Sequence, residues 1–370
     1  MSAKNQIAGI YSDIEIQKLL DQKKITSEKN ISVDQIQPAS LDLRLGNKAW
    51  RVKSSFLPGI KNKVCDKASR LSMHEINLNN GAVLEKGCVY IAEIAESLDL
   101  PKTISASANP KSSTGRLDIF TRLIVDNSGE FEYVPNGYKG PLYIEISPRT
   151  FSVLVYSGSR LNQLRFRSGN FLLSDKETKS LHKGKPLILG YEGKIDIRDG
   201  VPLSIDLSGG SNGIIGYRAR KHADLIDIEN IGYYDKELFW EMVTSRDLSS
   251  DGLILNPDEF YILASREFVA IPEKYAAEMR AYDTRVGEFR AHYAGFFDPG
   301  FGLTKLGAKP TRAVLEVRSH DVPFLIEEGQ TVCRLVYEKM STVPRKIYGG
   351  KGMSSNYQSQ GLKLSKHFIA

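Results

Sequence analysis

An internal repeat constrains this chain more than any other feature. Val83-Leu84 and Val89-Tyr90-Ile91, ahead of Pro101, return as Ile254-Leu255 and Phe260-Tyr261-Ile262 ahead of Pro272, a shift of 171 positions. The same shift carries Glu145 to Glu316, Gly158 to Gly329, Leu164 to Leu335 and Phe166 to Tyr337. Ser40-Leu-Asp-Leu43 is echoed by Ser204-Ile-Asp-Leu207 at a slightly smaller shift. Two tandem copies of one domain account for this pattern, and a chain of 370 residues is too long for one ordinary core. The expected division is residues 1–175 and 176–370, with the polar stretch Ser174 to Lys185 as linker and a tail from about 345 to 370.

Each copy reads as mainly β. Ser12-Asp-Ile-Glu15 has the capping-box form and opens a short helix, with Ile14, Ile16, Leu19 and Leu20 at helical spacing. Pro38 to Gly46 alternates polar and apolar residues as a strand that ends at its glycine. Lys48, Arg51, Lys53, Lys61 and Lys63 then mark a solvated loop. Short strands follow at Val83 to Ala92, Ile104 to Ala108, Ile119 to Val125, Leu142 to Ile146, Phe151 to Tyr156 and Gln163 to Phe166. Turn residues separate most of them, the pattern of a barrel or jelly roll with a few short helices.

Pro110 to Arg116, Pro-Lys-Ser-Ser-Thr-Gly-Arg, packs two cations, three hydroxyls and a glycine into seven residues. Lys111 offers a mobile charge, Arg116 a planar fork of donors, Ser112 and Ser113 hydroxyls, and Gly115 a close backbone approach, all suited to phosphate. Further on, Glu145 lies in the apolar run Leu142-Tyr-Ile-Glu-Ile146. A carboxylate in such a strand works chemically or is paired with a cation such as Lys139. The second copy differs where chemistry would sit. It reads Arg280-Ala-Tyr-Asp-Thr-Arg285 without the adjacent serines, yet its turn Phe297-Asp-Pro-Gly-Phe301 has Asp298 where the first copy has Val134-Pro-Asn-Gly-Tyr138. The histidines show no ligand or triad spacing, and His292, near Asp298, is the one to watch.

Hydrophobic residues make up 41% of the chain and charged ones 25%, an ordinary globular balance. No apolar run reaches the length of a membrane helix and no signal core follows Met1, so the expected location is cytoplasmic, with no membrane partner. A net charge of +6 suits anionic small ligands and gives little support for nucleic acid. Cys65, Cys88 and Cys333 are far apart and form no Cys-x-x-Cys pair, which argues against a disulfide framework and a zinc site.

These motifs resemble the deoxycytidine triphosphate deaminases of the trimeric dUTPase superfamily, in their long tandem bacterial form. The likeness runs through Asp13-Ile14-Glu15, Leu41 to Gly46, Lys111 to Arg116, Gly140 to Ile146, Gly158 to Phe166 and Tyr357-Gln-Ser-Gln360. It implies two tandem dUTPase-like distorted barrels in threefold homo-oligomers with sites at subunit interfaces, dCTP as substrate with Mg²⁺ on its triphosphate, and no zinc. dTTP is a candidate inhibitor. The resemblance makes Glu145 and Arg116 catalytic, with Ser112 beside them, and has Lys111, Ser112, Ser113, Arg116 and Gln163 bind the nucleotide. Lys111 stands where the family usually has arginine. Tyr357 and Gln360 would belong to a tail closing over the substrate, with Asn356 in place of a usual lysine. Glu316, Arg280, Arg285 and Asp298 form a second, less complete set in the other copy.

Replacing the cytosine amino group by oxygen needs water at a ring carbon, a proton for the ring nitrogen and an exit for ammonia. If the apolar strand raises the pKa of Glu145, one carboxylate can shuttle those protons while Arg116 and a serine orient the water. The expected reaction is zinc-independent hydrolysis of dCTP to dUTP and ammonia. The rival readings are a dUTP pyrophosphatase, a bifunctional enzyme that continues to dUMP, and a non-catalytic nucleotide-binding regulator.

Overall fold

Period-two alternation turns most of the first copy into strands, and a computed structural model describes residues 8–191, 195–280, 290–292, 295–303, 310–319, 321–350 and 357–369. The elements that matter below are helix α1 (Asp13–Asp21), strands β1 (Leu41–Leu43), β2 (Leu45–Val52), β3 (Val89–Asp99) and β4 (Ile104–Pro110), helix α2 (Ser112–Gly115), and strands β5 (Ile119–Val125), β6 (Lys139–Pro148) and β7 (Asn162–Ser168). α1 starts where its capping box predicts: the Ile14 N–H donates to the Ser12 hydroxyl at 3.2 Å and the Ser12 N–H donates to the Glu15 carboxylate at 2.8 Å.

Two antiparallel sheets face each other across the core. In one, β7 pairs with β1 and β4; in the other the order β2, β3, β6, β5 is continuous. Ile144, Leu164 and Phe166 are fully enclosed, and Ile91, on the opposite face of its sheet from Ile144, is enclosed against Trp50, Val64 and Ala68. β6 is buried from Leu142 to Pro148, so its apolar run, Glu145 included, is covered on both faces. The stretch read as a basic loop after Gly46 begins as the rest of β2, up to Val52, and is loop as expected from Lys53 to Lys63. Ala49, Trp50 and Val52 are buried while Lys48 and Arg51 look outward, which hid the strand behind its charges.

A buried ion pair fixes the entry to β2. Glu96 on β3 is fully buried; its Oε1 accepts from Arg44 Nε at 2.8 Å and Gln35 Nε2 at 3.1 Å, and its Oε2 accepts from the Arg44 N–H at 2.9 Å. The remaining Arg44 donors reach Ser27 Oγ and the carbonyls of Lys29 and Asn30. Every strong group in this knot is satisfied, the condition for burying charge without heavy loss.

The elements of the second copy that matter below are helix α3 (Asp175–Gly184) and strands β8 (Val201–Ser204), β9 (Tyr261–Val269), β10 (Tyr275–Arg280), β11 (Arg290–His292), β12 (Thr311–Arg318) and β13 (Thr331–Lys339). Strand pairing reproduces the sequence shift: Glu145 faces Ile91 as Glu316 faces Ile262, and Phe166 faces Ala106 as Tyr337 faces Ala277. Buried Glu267 takes the place of Glu96, accepting from Ser204 N–H at 2.9 Å and from its hydroxyl. The echo between Ser40 and Ser204 is out of step with this framework. Leu41 and Val201 stand opposite Leu164 and Leu335, and Leu45 and Ile205 donate to the equivalent carbonyls of Ser159 and Gln330, so Asp42 corresponds to Pro202. The stretch read as a linker is α3, capped by the Ser174 hydroxyl and Glu177 carboxylate and anchored through buried Thr178.

Compactness divides the chain into two units: 1–171 with 224–233 and 340–345, and 172–223 with 234–339 and 346–370. In the first, Ile226–Asp227 adds a parallel strand beside Val153–Val155, and Ser341 and Thr342 hydroxyls donate to Glu15 at 2.9 Å. In the second, the C-terminal segment is packed. Phe368 meets Tyr234, Phe239 and Trp240 edge-on with centroids 5.4–6.4 Å apart.

Truncating Glu96 to alanine strands the Arg44 guanidinium inside the protein. The expected cost is about 3–5 kcal/mol of unfolding free energy, read by urea titration. A loss under about 1 kcal/mol would contradict the role given to this knot.

Candidate active site

Three adjacent strands of the first unit bring Asp42, Gln163 and Asn109 into one row. Gln163 on β7 stands opposite Asp42 on β1 and opposite Asn109 at the end of β4, and directly opposed residues share a sheet face. Asp42 is 2% exposed and Asn109 5%. The Oδ1 atoms of both are buried without a hydrogen-bond partner. Two buried acceptors on one face therefore await donors, an arrangement uncommon outside functional sites.

Lys111 Nζ forms an ion pair with Asp42 Oδ2, and Ser40 Oγ donates to Gln163 Oε1 at 3.2 Å. The phosphate-type motif begins at that lysine. It is one helical turn, α2, in which the Lys111 carbonyl accepts from the N–H groups of Thr114 at 2.8 Å and Gly115 at 2.9 Å. Ser112 is half-buried, while Ser113, Thr114, Gly115 and Arg116 are buried. Asp118 follows with φ +55°; its carbonyl accepts from Arg149 N–H and its carboxylate from the Thr150 hydroxyl, which ties the turn to the end of β6. Asp118 adopts the left-handed region that aspartate tolerates better than most residues.

α2 leads directly into β5, and β5 carries the partner of Glu145. Arg122 on β5 stands opposite Glu145 on β6 and donates to its Oε1 from Nε at 3.0 Å and Nη2 at 2.6 Å. The guanidinium also reaches Ser55 Oγ at 2.8 Å and lies over the Phe131 ring at 3.6 Å. Glu145 is 2% exposed and its Oε2 has no hydrogen-bond partner. The sequence places Glu145 among apolar neighbours; the structure adds a guanidinium that holds one oxygen and leaves the other open. Lys139, the cation offered as its alternative partner, lies beside Asp99 instead.

The second unit lacks this row. In register, Pro202, Arg334 and Arg280 replace Asp42, Gln163 and Asn109. Arg280 thus corresponds to Asn109 and ends β10 exposed. Arg285 and Asn356 lie outside the described residues. Glu316 is buried in β12, and by register His292 occupies the position that Arg122 holds beside Glu145. Asp298 begins a turn closed by Phe301 N–H to its carbonyl at 3.1 Å, the bond Tyr138 makes to Pro135. Tyr357 and Gln360 are buried in the second unit, where Gln360 exchanges backbone and side-chain bonds with Arg312.

The N-terminal domain of the 2'-deoxycytidine 5'-triphosphate deaminase (DCD) family matches residues 7–170 and its C-terminal domain residues 174–368. A crystal structure of 2'-deoxycytidine 5'-triphosphate deaminase from Agrobacterium tumefaciens superposes with a TM-score of 0.85 at 55% identity, covering 90% of this chain and 99% of that one. The chain belongs to the dCTP deaminase family. Its fold is the dUTPase-like one that the resemblance implies, and it is an enzyme of the deaminase class. A dUMP-forming dCTP deaminase from Methanobrevibacter smithii is 30% identical over 194 residues, 51% of this chain and 91% of that protein. A dCTP deaminase from Halorubrum lacusprofundi is 31% identical over 161 residues, 42% of this chain and 76% of that protein. Among the described residues no helix is long and apolar enough to cross a membrane, and no group of three or more His, Cys, Asp or Glu could hold a metal ion.

For this deaminase the sequence singled out Lys111, Gln163 and Glu145 but missed their partners. Arg122 was detectable: it is the one charge in Ile119 to Val125, as Glu145 is in Leu142 to Ile146. Removing it with Arg122→Ala leaves a buried carboxylate uncompensated, an expected loss of about 3–5 kcal/mol at neutral pH. The double variant Arg122→Ala/Glu145→Gln should regain at least half of that loss by denaturant titration. Additive losses would mean that the two groups are not coupled.

Proposed function

We propose that the first unit deaminates dCTP hydrolytically, with dUTP and ammonia as the immediate products and no zinc at the base. The observation that carries this reading is the open Oε2 of buried Glu145, whose partner Arg122 lies on the strand that follows the Lys111–Arg116 turn. Water attacks C4 of the cytosine, forming the C–O bond, while Glu145 Oε2 takes one of its protons and delivers it to the ring nitrogen, where it stays; the carboxylate then carries the second proton from the new C4 hydroxyl to the departing amine. The C4–N4 bond breaks, ammonia leaves, and the ring carbonyl of uracil remains. Arg122 keeps Oε1 fixed so that the other oxygen bears the proton. Arg116 and Ser112 orient the water and stabilise charge on the ring.

Lys111 and the hydroxyls of Ser112 and Ser113 take the triphosphate. The donor set also fits a hydrated magnesium ion carried by the nucleotide, since the unpartnered Asp42 and Asn109 oxygens would accept hydrogen bonds from its waters. Magnesium supplies charge neutralisation along the phosphates. A threefold assembly and dTTP inhibition belong to the same reading.

A second reading, in which hydrolysis continues to dUMP and pyrophosphate, is favoured by the dUMP-forming relatives. Following ammonia, dUTP, dUMP and pyrophosphate together from dCTP with Mg²⁺ separates the two. Glu145→Gln should lower ammonia release about 10²–10⁴-fold, whereas Glu316→Gln should stay within about twofold of the parent. Equal losses in both variants would overturn the assignment to the first unit, and folded protein that releases no ammonia would overturn deamination itself. Asp42→Asn should raise the KM for dCTP more than it lowers kcat, because it disturbs Lys111 rather than the base.

A further inference from the structure

A pocket of about 550 Å³ opens in the first unit beside Arg44 of the buried knot and away from the candidate active-site residues. Its walls include Gly46, Glu93, Ser97, Pro141 and Tyr143, from β2, β3 and β6. Gly46 lies tight against Glu93: a Cβ there would come 3.0 Å from the glutamate Cβ. Among the described residues, the Glu93 carboxylate makes no hydrogen bond or ion pair. Burial pushes it above the usual carboxylate range, Lys48 opposes this, and Glu75 and Glu28 add to it.

The second unit shows what fills the corresponding place. Strand register matches Ser97 with Phe268, Pro141 with Arg312, and Glu93 with Ala264, while the common N–H donors Leu45 and Ile205 match Gly46 with Asp206. Arg312 Nη1 is ion-paired with Asp206 Oδ2, and its guanidinium lies 5.2 Å from the centroid of the Phe268 ring. The carboxylate has thus changed strands between the copies, from Asp206 beside Ala264 to Glu93 beside Gly46. The cation that faces it in the second unit is replaced by proline, and the ring beneath that cation by serine. What remains is a carboxylate, an aromatic wall at Tyr143, and a space where the other copy keeps a guanidinium.

We propose that this pocket binds a small guanidinium-bearing molecule, with Glu93 as its counter-ion. The binding geometry follows Arg312: a planar fork of donors meets a carboxylate, a pairing that a point-charge ammonium reproduces less well. The inference is independent of the deaminase reading, because none of these residues belongs to the Glu145 or Asp42 groups.

Agmatine is a suitable probe, with putrescine as its ammonium counterpart. Isothermal titration of the intact chain should show one agmatine site per chain, tighter than putrescine. Glu93→Gln should weaken it at least about tenfold, in line with the strength of charge-assisted forks. Pro141→Arg, which supplies the cation from within, should abolish binding, and so should Ser97→Phe, which fills the space without adding charge. Circular dichroism and the thermal midpoint identify which variants are folded. The proposal fails if agmatine does not bind at millimolar concentration, or if folded Glu93→Gln binds it as the parent does. It fails equally if binding survives in a folded variant with Pro141→Arg or Ser97→Phe.

Discussion

A fully buried glutamate sets the frame of each unit. Glu96 and Glu267 lie at equivalent points of the long central strands β3 and β9, and each holds the backbone N–H at the equivalent entry point, Arg44 or Ser204. A buried carboxylate cannot slide by one residue without losing its donors, so it pins the register of the strands around it. With register pinned, Glu145 and Glu316, Gln163 and Arg334, and Asn109 and Arg280 become comparable position by position. The two copies are then a natural experiment on one framework.

That comparison separates scaffold from chemistry. The core positions keep their approximate size and burial, as with Leu164 and Leu335 or Phe166 and Tyr337. The polar row does not: Asp42, Gln163 and Asn109 become proline and two arginines. Buried oxygens without partners cost free energy, and the first unit has them at Asp42, Asn109 and Glu145, as well as at Ser72 and Ser107. The second unit instead closes the place equivalent to the Glu93 pocket with an internal ion pair between Arg312 and Asp206. One unit leaves these acceptors without partners, while the other spends part of its polar inventory on itself.

Much of this was legible in the sequence, and the reasons are local. The repeat, the strands and the capping box at Ser12 depend on spacing alone, and the structure places α1 and β5 at the expected residues. Glu145 was conspicuous as a charge in an apolar run. Cross-strand partners were not legible, because the link between Arg122 and Glu145, or between Asp42 and Gln163, depends on register rather than sequence distance. The Ser40 and Ser204 echo misled for the same reason: short alternating motifs resemble one another at several offsets, and only the hydrogen bonds of Leu45 and Ile205 choose among them. The helix α3 was hidden by composition, since its polar face reads as a solvated linker until Thr178 is seen to be buried.

The central claim is that substrate belongs to the first unit. It is tested most directly by a crystal structure of the Glu145→Gln protein soaked with dCTP and Mg²⁺. The account predicts triphosphate density against Lys111, Ser112 and Ser113, with the cytosine ring near residue 145. Nucleotide density beside Glu316 with none near Lys111 would contradict it.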